Sequence, residues 1–301
     1  MTHITKETQS MRSAPRRLLI AVAVLTLAAL SAACAEQAAE EHDHSTHSHD
    51  EDDAGGAQTG AMQSMSGGHA MVAAVEAPED MSVSLHVEPD AVSGLNIHLT
   101  TTGFTFTPED VNADDEPGTG HAHLYVDGVK ITRLYGPSYH LTGVEPGNHE
   151  IRVALNTNSH ADYVQGTTLV DAVLALTVPE PDEASAHTHA GSDAVEAPPG
   201  MAVSVHVGPD SHSAGGVNVR IDTAGFAFAP RSVNGEHVAG EGHAHIYVEG
   251  VKIGRVYGPW FFLGGLTSGE REVRVTLTSN AHQPYAADGE PVEATVVVAV
   301  P

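Results

Sequence analysis

Cysteine and basic residues are scarce in this 301-residue chain. The one cysteine, Cys34, has no partner for a disulfide within the chain, so folded domains must be stabilised by core packing alone. Lys and Arg number 13 against 39 Asp and Glu, which gives a net charge of -26 at pH 7. A charge of this sign repels phosphate backbones, and we therefore expect no nucleic-acid partner.

The sequence also lacks the common catalytic motifs. It contains no GxSxG nucleophile turn, no glycine-rich phosphate-binding loop and no HExxH pair. These absences predict a protein that is not an enzyme. No stretch shows convincing 3.6-residue periodicity, which argues against helices in the folded part of the chain.

The N-terminus has the order of a secretory signal. Basic residues precede an apolar run at residues 18–30, and the small residues 31–33 lead to Cys34. The run is shorter than the roughly 20 residues of a transmembrane helix, which favours a signal peptide. A cysteine directly after small residues resembles the bacterial lipobox. The resemblance implies a signal peptide at residues 1–33 and a membrane anchor at a lipidated Cys34, with palmitate among the attached acyl chains. The protein would then lie in the cell envelope, on the outer membrane if the cell has two membranes.

Residues 34–79 are predicted to form a disordered tether, because they are rich in Ala, Gly, Ser and acidic residues and show no apolar periodicity. Four histidines stand among the acidic residues: His42, His44, His47 and His49. Such a run could bind a divalent ion or could serve only as a soluble spacer, and both interpretations stay open.

The rest of the chain is one unit present twice. The segment GHAHLYVDGVKI at residues 120–131 returns as GHAHIYVEGVKI at residues 242–253. The two copies are predicted as independent domains at residues 80–179 and 201–301, separated by a linker at residues 180–200. Their register is interrupted once, by two extra residues near positions 211–216.

Each copy is predicted to be an all-β sandwich of about seven short strands, of the immunoglobulin or cupredoxin type. Val83, Leu85 and Val87 show the alternation of a half-buried strand. The dipeptide Asp127-Gly128 predicts a tight hairpin turn that places Leu124 opposite Ile131.

Comparison of the two copies selects candidate metal ligands. Alternation along a strand puts His121 and His123 on one face, away from the predicted core. A third imidazole from a later loop would complete a three-ligand set that Zn(II) or Cu(II) accepts. The histidines in this pattern are His121, His123, His160, His243, His245 and His282. The plainer alternative is a set of exposed histidines that only form hydrogen bonds with their neighbours.

Other residues recur near this pattern. His86 and His206 are additional candidate ligands, although their distance from the pairs depends on the order of the strands. Six residues could orient a ligand ring: Tyr125, Tyr163, Tyr247, Tyr285, Asn158 and Asn280.

The motif resembles a family of small secreted bacterial β-domains of unknown function. Their pattern is a Gly-His-x-His strand, then a Leu-x-Pro-Gly-x-His loop, then a late histidine. Here the loop ends in His149 in the first copy and in Arg271 in the second, so the second copy departs from it. A more distant resemblance is to Cu,Zn superoxide dismutase, whose β-sandwich carries an HxH copper pair. The chain has no cysteine for the disulfide of that family and no zinc loop with a bridging histidine, and these departures count against dismutase activity but not against a copper site.

Together these patterns predict a cell-envelope lipoprotein that binds copper or zinc and buffers or delivers the ion. Its partners would be the membrane, through Cys34, metal ions, and an envelope protein that handles metals. Two alternatives stay open: a structural or adhesive surface module with incidental histidines, and a metalloenzyme similar to superoxide dismutase.

Overall fold

The computed structural model describes residues 73–180 and 193–301. The predicted signal peptide and the predicted anchor, Cys34, lie outside these ranges. The tether histidines also lie outside them: His42, His44, His47 and His49. In the described ranges, no helix has both the length and the apolar character needed to cross a lipid bilayer.

The first repeat consists of eleven strands and one single-turn 3₁₀ helix (Pro108–Asp110), joined by turns. They are β1 (Ala74–Glu76), β2 (Ser82–Pro89), β3 (Leu95–Thr102), β4 (Thr105–Phe106), β5 (Thr119–Val126), β6 (Val129–Leu134), β7 (Ser138–Leu141), β8 (Gly147–Asn156), β9 (Asp162–Gln165), β10 (Thr168–Leu169) and β11 (Asp171–Val178). The larger sheet has the order β1-β9-β8-β5-β4, with β10, β11 and β6 paired to β9, β8 and β5. The smaller sheet has the order β2-β3-β7.

The second repeat has the same eleven strands in the same sequence. They are β12 (Val195–Glu196), β13 (Ala202–Pro209), β14 (Val217–Ala224), β15 (Ala227–Phe228), β16 (Glu241–Val248), β17 (Val251–Val256), β18 (Trp260–Leu263), β19 (Gly269–Ser279), β20 (Tyr285–Ala287), β21 (Glu290–Pro291) and β22 (Glu293–Val300). Its sheets are β13-β14-β18, β12-β20-β21 and β15-β16-β19-β22, with β17 paired to β16. The all-β sandwich prediction is confirmed, with eleven strands in each copy rather than about seven.

Alternating apolar side chains build each core. In the first repeat, Ala122 and Leu124 of β5 are fully buried together with Val153 of β8, and they pack with Ile97 of β3. The core lies between the two sheets, so one face of β5 is used for folding. The opposite face of β5 carries His121 and His123.

The predicted pairing in the first hairpin is wrong at one position. Tyr125 pairs with Lys130, as the turn requires, but the register then shifts and Leu124 pairs with Thr132. The residue skipped by this bulge is Ile131, which is 46% exposed. The bulge brings Arg133 opposite His123, so both side chains lie on the same face. The second hairpin has the same shift between Ile246 and Tyr247.

Two short strands lie in segments predicted to be unstructured. β1 falls within the predicted tether and pairs with β9, and β12 falls within the predicted linker and pairs with β20. Val75 of β1 packs against the core of the first repeat. Pairing of two or three residues depends mainly on backbone hydrogen bonds, which a composition-based prediction does not detect.

The two repeats share a buried contact that the prediction of independent domains did not include. Tyr139 and Phe261 occupy the same position in the two copies, and their rings stack with centroids 6.0 Å apart and planes 11° apart. Phe262 packs edge-on against Tyr135, and Arg133 lies 4.5 Å above its ring. Residues at the same position in both copies thus face each other, as in a pseudo-symmetric dimer.

Candidate metal centres

The Gly-His-x-His segment can lie against the neighbouring strand only because its first residue is glycine. A Cβ atom on Gly120 would stand 2.0 Å from the carbonyl oxygen of Asn156, and one on Gly242 would stand 1.9 Å from that of Thr278. Gly120 also has a φ of 145°, which L side chains rarely adopt. The glycines let β5 and β16 approach the ends of β8 and β19, where the third histidines follow.

The third histidine of each set lies in a tight turn with an unusual backbone. His160 has a φ of 72° and His282 a φ of 63°, in the left-handed region that few residues other than glycine occupy. In the first turn, the His160 backbone N–H donates to Thr157 and that of Thr157 donates to Ala161. Strain of this kind, of order 1–3 kcal/mol, persists where the surrounding structure holds it, and often at functional sites.

The two turns complete two histidine triads. In the first triad, Nε2 of His121 lies 3.0 Å from Nε2 of His123 and 2.9 Å from Nδ1 of His160. In the second, Nε2 of His243 lies 3.0 Å from Nε2 of His245, and the rings of His243 and His282 have centroids 4.9 Å apart. In each triad the three candidate ligand atoms lie within 4.8 Å of one another.

The alternative interpretation of these histidines as exposed side chains does not hold for three of them. His121 is 1% exposed, His123 is 4% exposed and His243 is 0% exposed. The alternation along the strand was correct, but the face opposite the sandwich core is also covered. In the first repeat, the turn that carries His160 and the docked second repeat cover it.

Burial sets the protonation state of these imidazoles. Desolvation holds the pKa of His121, His123 and His243 well below the usual value, and neighbouring charges lower it further. The same causes lower the pKa of His160 to about 4 and that of His245 to about 2. These rings are neutral at pH 7, the form that can bind a metal ion.

A lysine contacts each triad. Nζ of Lys130 lies 2.9 Å from Nε2 of His123, and Nζ of Lys252 lies 3.1 Å from Nε2 of His245. Desolvation, together with the nearby arginine, lowers the pKa of each lysine to about 8. The lone pair of each second histidine is therefore used by an ammonium group.

Asparagines hold the third histidines. Oδ1 of Asn112 lies 2.6 Å from Nε2 of His160, and Nδ2 of Asn112 donates to a carboxylate oxygen of Asp210 over 3.1 Å. The second site repeats this arrangement: Oδ1 of Asn234 lies 2.5 Å from Nε2 of His282, and Nδ2 of Asn234 donates to Asp90 over 2.8 Å. Each aspartate belongs to the other repeat.

The same aspartates form buried ion pairs between the repeats. Asp210 accepts two hydrogen bonds from Arg133, over 2.6 and 3.1 Å, and Asp90 accepts one from Arg255 over 2.7 Å. Both carboxylates have no exposed side-chain surface. Burial alone would raise their pKa, but the hydrogen bonds from arginine, asparagine and, at Asp90, the Ser93 backbone outweigh burial and hold it well below its usual range.

The other predicted residues divide by location. His86 and His206 have side chains 67% and 62% exposed, lie beside Glu88 and Asp222, and join neither triad. Strands β2 and β13 belong to the smaller sheets, and these two side chains lie in solvent, apart from the triads.

Two of the predicted tyrosines contact the triads. The ring centroid of Tyr125 lies 6.4 Å from that of His123, and that of Tyr247 lies 6.5 Å from that of His245. The guanidinium groups of Arg152 and Arg274 stack on these two tyrosine rings. Tyr125 and Tyr247 can therefore restrict the second histidine of each triad.

The remaining residues that were predicted to orient the histidine rings lie in the core or contact the triads only through other residues. Tyr163 and Tyr285 are buried, and their hydroxyls donate to the backbone oxygens of Thr119 and Glu241. The backbone oxygens of two further candidates accept from the asparagines that hold the third histidines: Asn158 from Asn112 and Asn280 from Asn234. Their effect on the ligands is therefore indirect.

Sequence reasoning missed the asparagines, arginines and aspartates at the repeat contact: Asn112, Asn234, Arg133, Arg255, Asp90 and Asp210. Each recurs at the same place in both copies, as the histidines do. The comparison that selected the histidines could therefore have selected these residues too. Nothing in the sequence indicated that the carboxylate of one copy would reach the asparagine of the other.

Comparisons with known proteins add little to this geometry. No family model and no curated protein matches the chain. Among solved structures, the fibronectin(III)-like modules of Clostridium thermocellum CbhA are similar over 76% of this chain and 90% of that chain, with 11% identity and a TM-score of 0.20. A likeness this distant supports no inference about function, so the function must be argued from the histidine triads themselves.

Proposed function

We propose that this protein binds two copper or zinc ions, one at each histidine triad, and that it buffers or delivers these ions in the cell envelope. The observation that carries the proposal is the convergence of three imidazole nitrogens within 4.8 Å, which occurs twice in one chain. The envelope location rests on the N-terminal sequence pattern.

The spacing of the nitrogens is close to that of a metal site. A tetrahedral ion about 2.0–2.1 Å from each imidazole nitrogen would place neighbouring nitrogens about 3.3 Å apart. The distances of 2.9 and 3.0 Å in the first triad are a few tenths of an ångström shorter. The ligand atoms of the third pair, His123 and His160, lie within 4.8 Å of each other, so small rotations of the rings would bring all three nitrogens onto one ion.

Some charges around the first triad oppose the binding of a metal ion, and others favour it. Lys130 must leave Nε2 of His123 before a metal can use the same lone pair. The guanidinium of Arg133 also disfavours a dication, but Asp210 neutralises it at 2.6 Å. At longer range, the net charge of -26 attracts cations to the whole molecule.

The type of ligand limits the choice of metal. Neutral imidazoles suit Zn(II) and Cu(II), and Cu(II) binds such sites more tightly than Zn(II). Three protein ligands leave a coordination position open for water or for a ligand from a receiving protein. That position suits reversible binding and transfer.

Metal titration of the full chain tests the proposal. The background for all samples replaces the tether and linker histidines with alanine, so that only the folded repeats are measured: His42, His44, His47, His49, His69, His187 and His189. Elemental analysis after equilibrium dialysis should give two ions per chain in this background. We expect one ion after His123→Ala or His245→Ala, and none when both are changed.

Matched controls are His86→Ala and His206→Ala, which remove exposed imidazoles outside the triads and should leave two ions bound. If the background protein holds no copper or zinc above the level of a denatured sample, the proposal is wrong. That result would favour the structural or adhesive alternative.

A further inference from the structure

We propose that each repeat fixes the proton on the third histidine of the other repeat. Asp210 does so for His160, and Asp90 does so for His282, each through one asparagine. The consequence for metal affinity rests on the proposed function, whereas the position of the proton does not.

The first step is the orientation of the Asn112 amide. A carboxylate only accepts hydrogen bonds, so the group that Asn112 turns towards Asp210 must be its NH₂. This contact, over 3.1 Å, therefore points the other end of the amide, Oδ1, at His160.

The second step is the tautomer of His160. Oδ1 of Asn112 can only accept, and it lies 2.6 Å from Nε2 of the ring. Nε2 must therefore carry the hydrogen, which leaves a lone pair on Nδ1. Nδ1 is the atom that lies 2.9 Å from His121 and faces the triad. With the Asn112 amide reversed, the hydrogen would move to Nδ1 and occupy the position of a metal.

The third step is the crossing between repeats. Asp90 of the first repeat accepts from Asn234, whose Oδ1 meets Nε2 of His282. The aspartates are themselves held by arginines of the opposite repeat, Arg133 for Asp210 and Arg255 for Asp90. Neither repeat therefore contains every group that prepares its own triad.

This arrangement couples docking of the repeats to metal affinity. If the repeats separate, Asn112 and Asn234 lose the carboxylates that orient them, and both third histidines can take either tautomer. Since coupling is reciprocal, a metal ion at either triad should in turn stabilise the contact between the repeats.

We call each chain of hydrogen bonds from aspartate through asparagine to histidine a relay. Long-range ¹H–¹⁵N correlations of the histidine rings, recorded by nuclear magnetic resonance on the metal-free full chain, test the relay directly. In the unaltered protein His160 and His282 should both carry the hydrogen on Nε2. Asp210→Asn should give a mixture of tautomers at His160 alone, because the new amide both donates and accepts. Asp90→Asn should do the same at His282 alone.

A second variant removes the relay without touching the ion pairs. Asn112→Gly suits the left-handed backbone at this position, where φ is 69°, and leaves Arg133 and Asp210 in contact. It should also give mixed tautomers at His160. The matched control is Asp222→Asn, which removes an exposed carboxylate of the second repeat and should change neither ring.

Affinity gives a separate measurement. Asp210→Asn and Asn112→Gly should each weaken copper or zinc binding at the first triad by about 10–100-fold, as outer partners of metal ligands do, and leave the second unchanged. The relay is wrong if His160 keeps its Nε2 hydrogen in both variants, or if Asn112→Gly, which leaves the ion pairs intact, disturbs His282 as much as His160. If the variants show mixed tautomers at His160 but the unaltered chain binds no metal, the relay is supported and only the proposed function is rejected.

Discussion

The two triads consist of matching histidines but have different surroundings. In the first, His121 and His123 are both buried, and the ring of His212 from the second repeat lies 5.2 Å from that of His160. In the second, His245 is partly exposed and opens into a cleft of about 510 Å³ that Val92 of the first repeat also lines. The copies have thus kept the histidines and changed their access.

The residues that differ are supplied by the opposite repeat. The backbone N–H of Val92 donates to Asp90 over 2.8 Å, and that of His212 donates to Asp210 over 2.9 Å, so the two residues occupy matching positions. Two otherwise equivalent sites therefore become unequal through the loop that the opposite repeat supplies, which is also two residues longer in the second repeat. The difference teaches that the repeat contact, rather than either sandwich alone, decides the properties of each site.

The largest expected effect is loss of an ion pair between the repeats. Arg133→Met and Arg255→Met each leave a buried carboxylate without its partner, which costs about 3–5 kcal/mol. We expect the greater loss for Arg133, because it makes two hydrogen bonds to Asp210 and lies over Phe262, whereas Arg255 makes one bond to Asp90. Urea unfolding of the metal-free chain measures both losses.

The control for this pair is Arg220→Met, which removes an exposed arginine from an ion pair with Asp222 and should leave the unfolding midpoint unchanged. Equal losses for Arg133 and Arg255 would show that the extra contacts of Arg133 add no stability. Losses no larger than that of the control would show that the buried pairs do not hold the repeats together.

The glycines give the next largest effect. Gly120→Ala and Gly242→Ala each force a Cβ against a backbone oxygen, and overpacking of this kind costs about 1–3 kcal/mol. Gly120 has a positive φ and Gly242 does not, so Gly120→Ala should cost about 1 kcal/mol more. Urea unfolding tests the difference, with Gly250→Ala as a control that tests a positive φ where a Cβ would meet no atom. A smaller loss for Gly120→Ala than for Gly242→Ala would contradict the argument.

Much of the fold could be predicted from the sequence, because alternation of apolar residues reports directly on sheet faces. Val83, Leu85 and Val87 do form a strand, and His121 and His123 do share one face. The third histidine was identified by its recurrence in both copies. Burial of the triads could not be predicted, since it depends on the docking of one repeat against the other. The bulge at Ile131 was also missed, because a bulge changes the pairing without altering the alternation.

The two buried aspartates should give equal pH dependence. The pKa of Asp90 in the folded protein lies well below the value of about 3.9 expected when unfolded. The unfolded state therefore binds the proton more readily, and the contribution of Asp90 to stability is present above about pH 3.9 and is lost as the pH falls below it. Below that pH, the unaltered chain should lose up to about 1.4 kcal/mol per pH unit more than Asp90→Asn does.

Asp210→Asn should reduce the slope by the same amount, because Asp210 is buried and hydrogen-bonded in the same way. Urea unfolding between about pH 5 and 3, with a chelator present, gives the slopes. Identical slopes for the unaltered chain and Asp90→Asn would mean that Asp90 titrates normally in the folded protein.

The smallest expected effect separates the two triads most directly. The His212 ring lies close enough to His160 for a modest rotation to bring a fourth imidazole to an ion in the first triad. Because the side chain is exposed and must be ordered, which costs about 0.5–1.5 kcal/mol, we expect His212→Ala to weaken the first triad by only about three- to tenfold. The reciprocal variant, Val92→His, places an imidazole at the matching position and should strengthen the second triad by a similar factor.

Competition with a chelator, in chains that retain one triad at a time, measures each affinity. If His212→Ala leaves the first triad unchanged while Val92→His strengthens the second, the position can supply a ligand but His212 does not use it. If neither variant changes either affinity, the two sites differ in access alone.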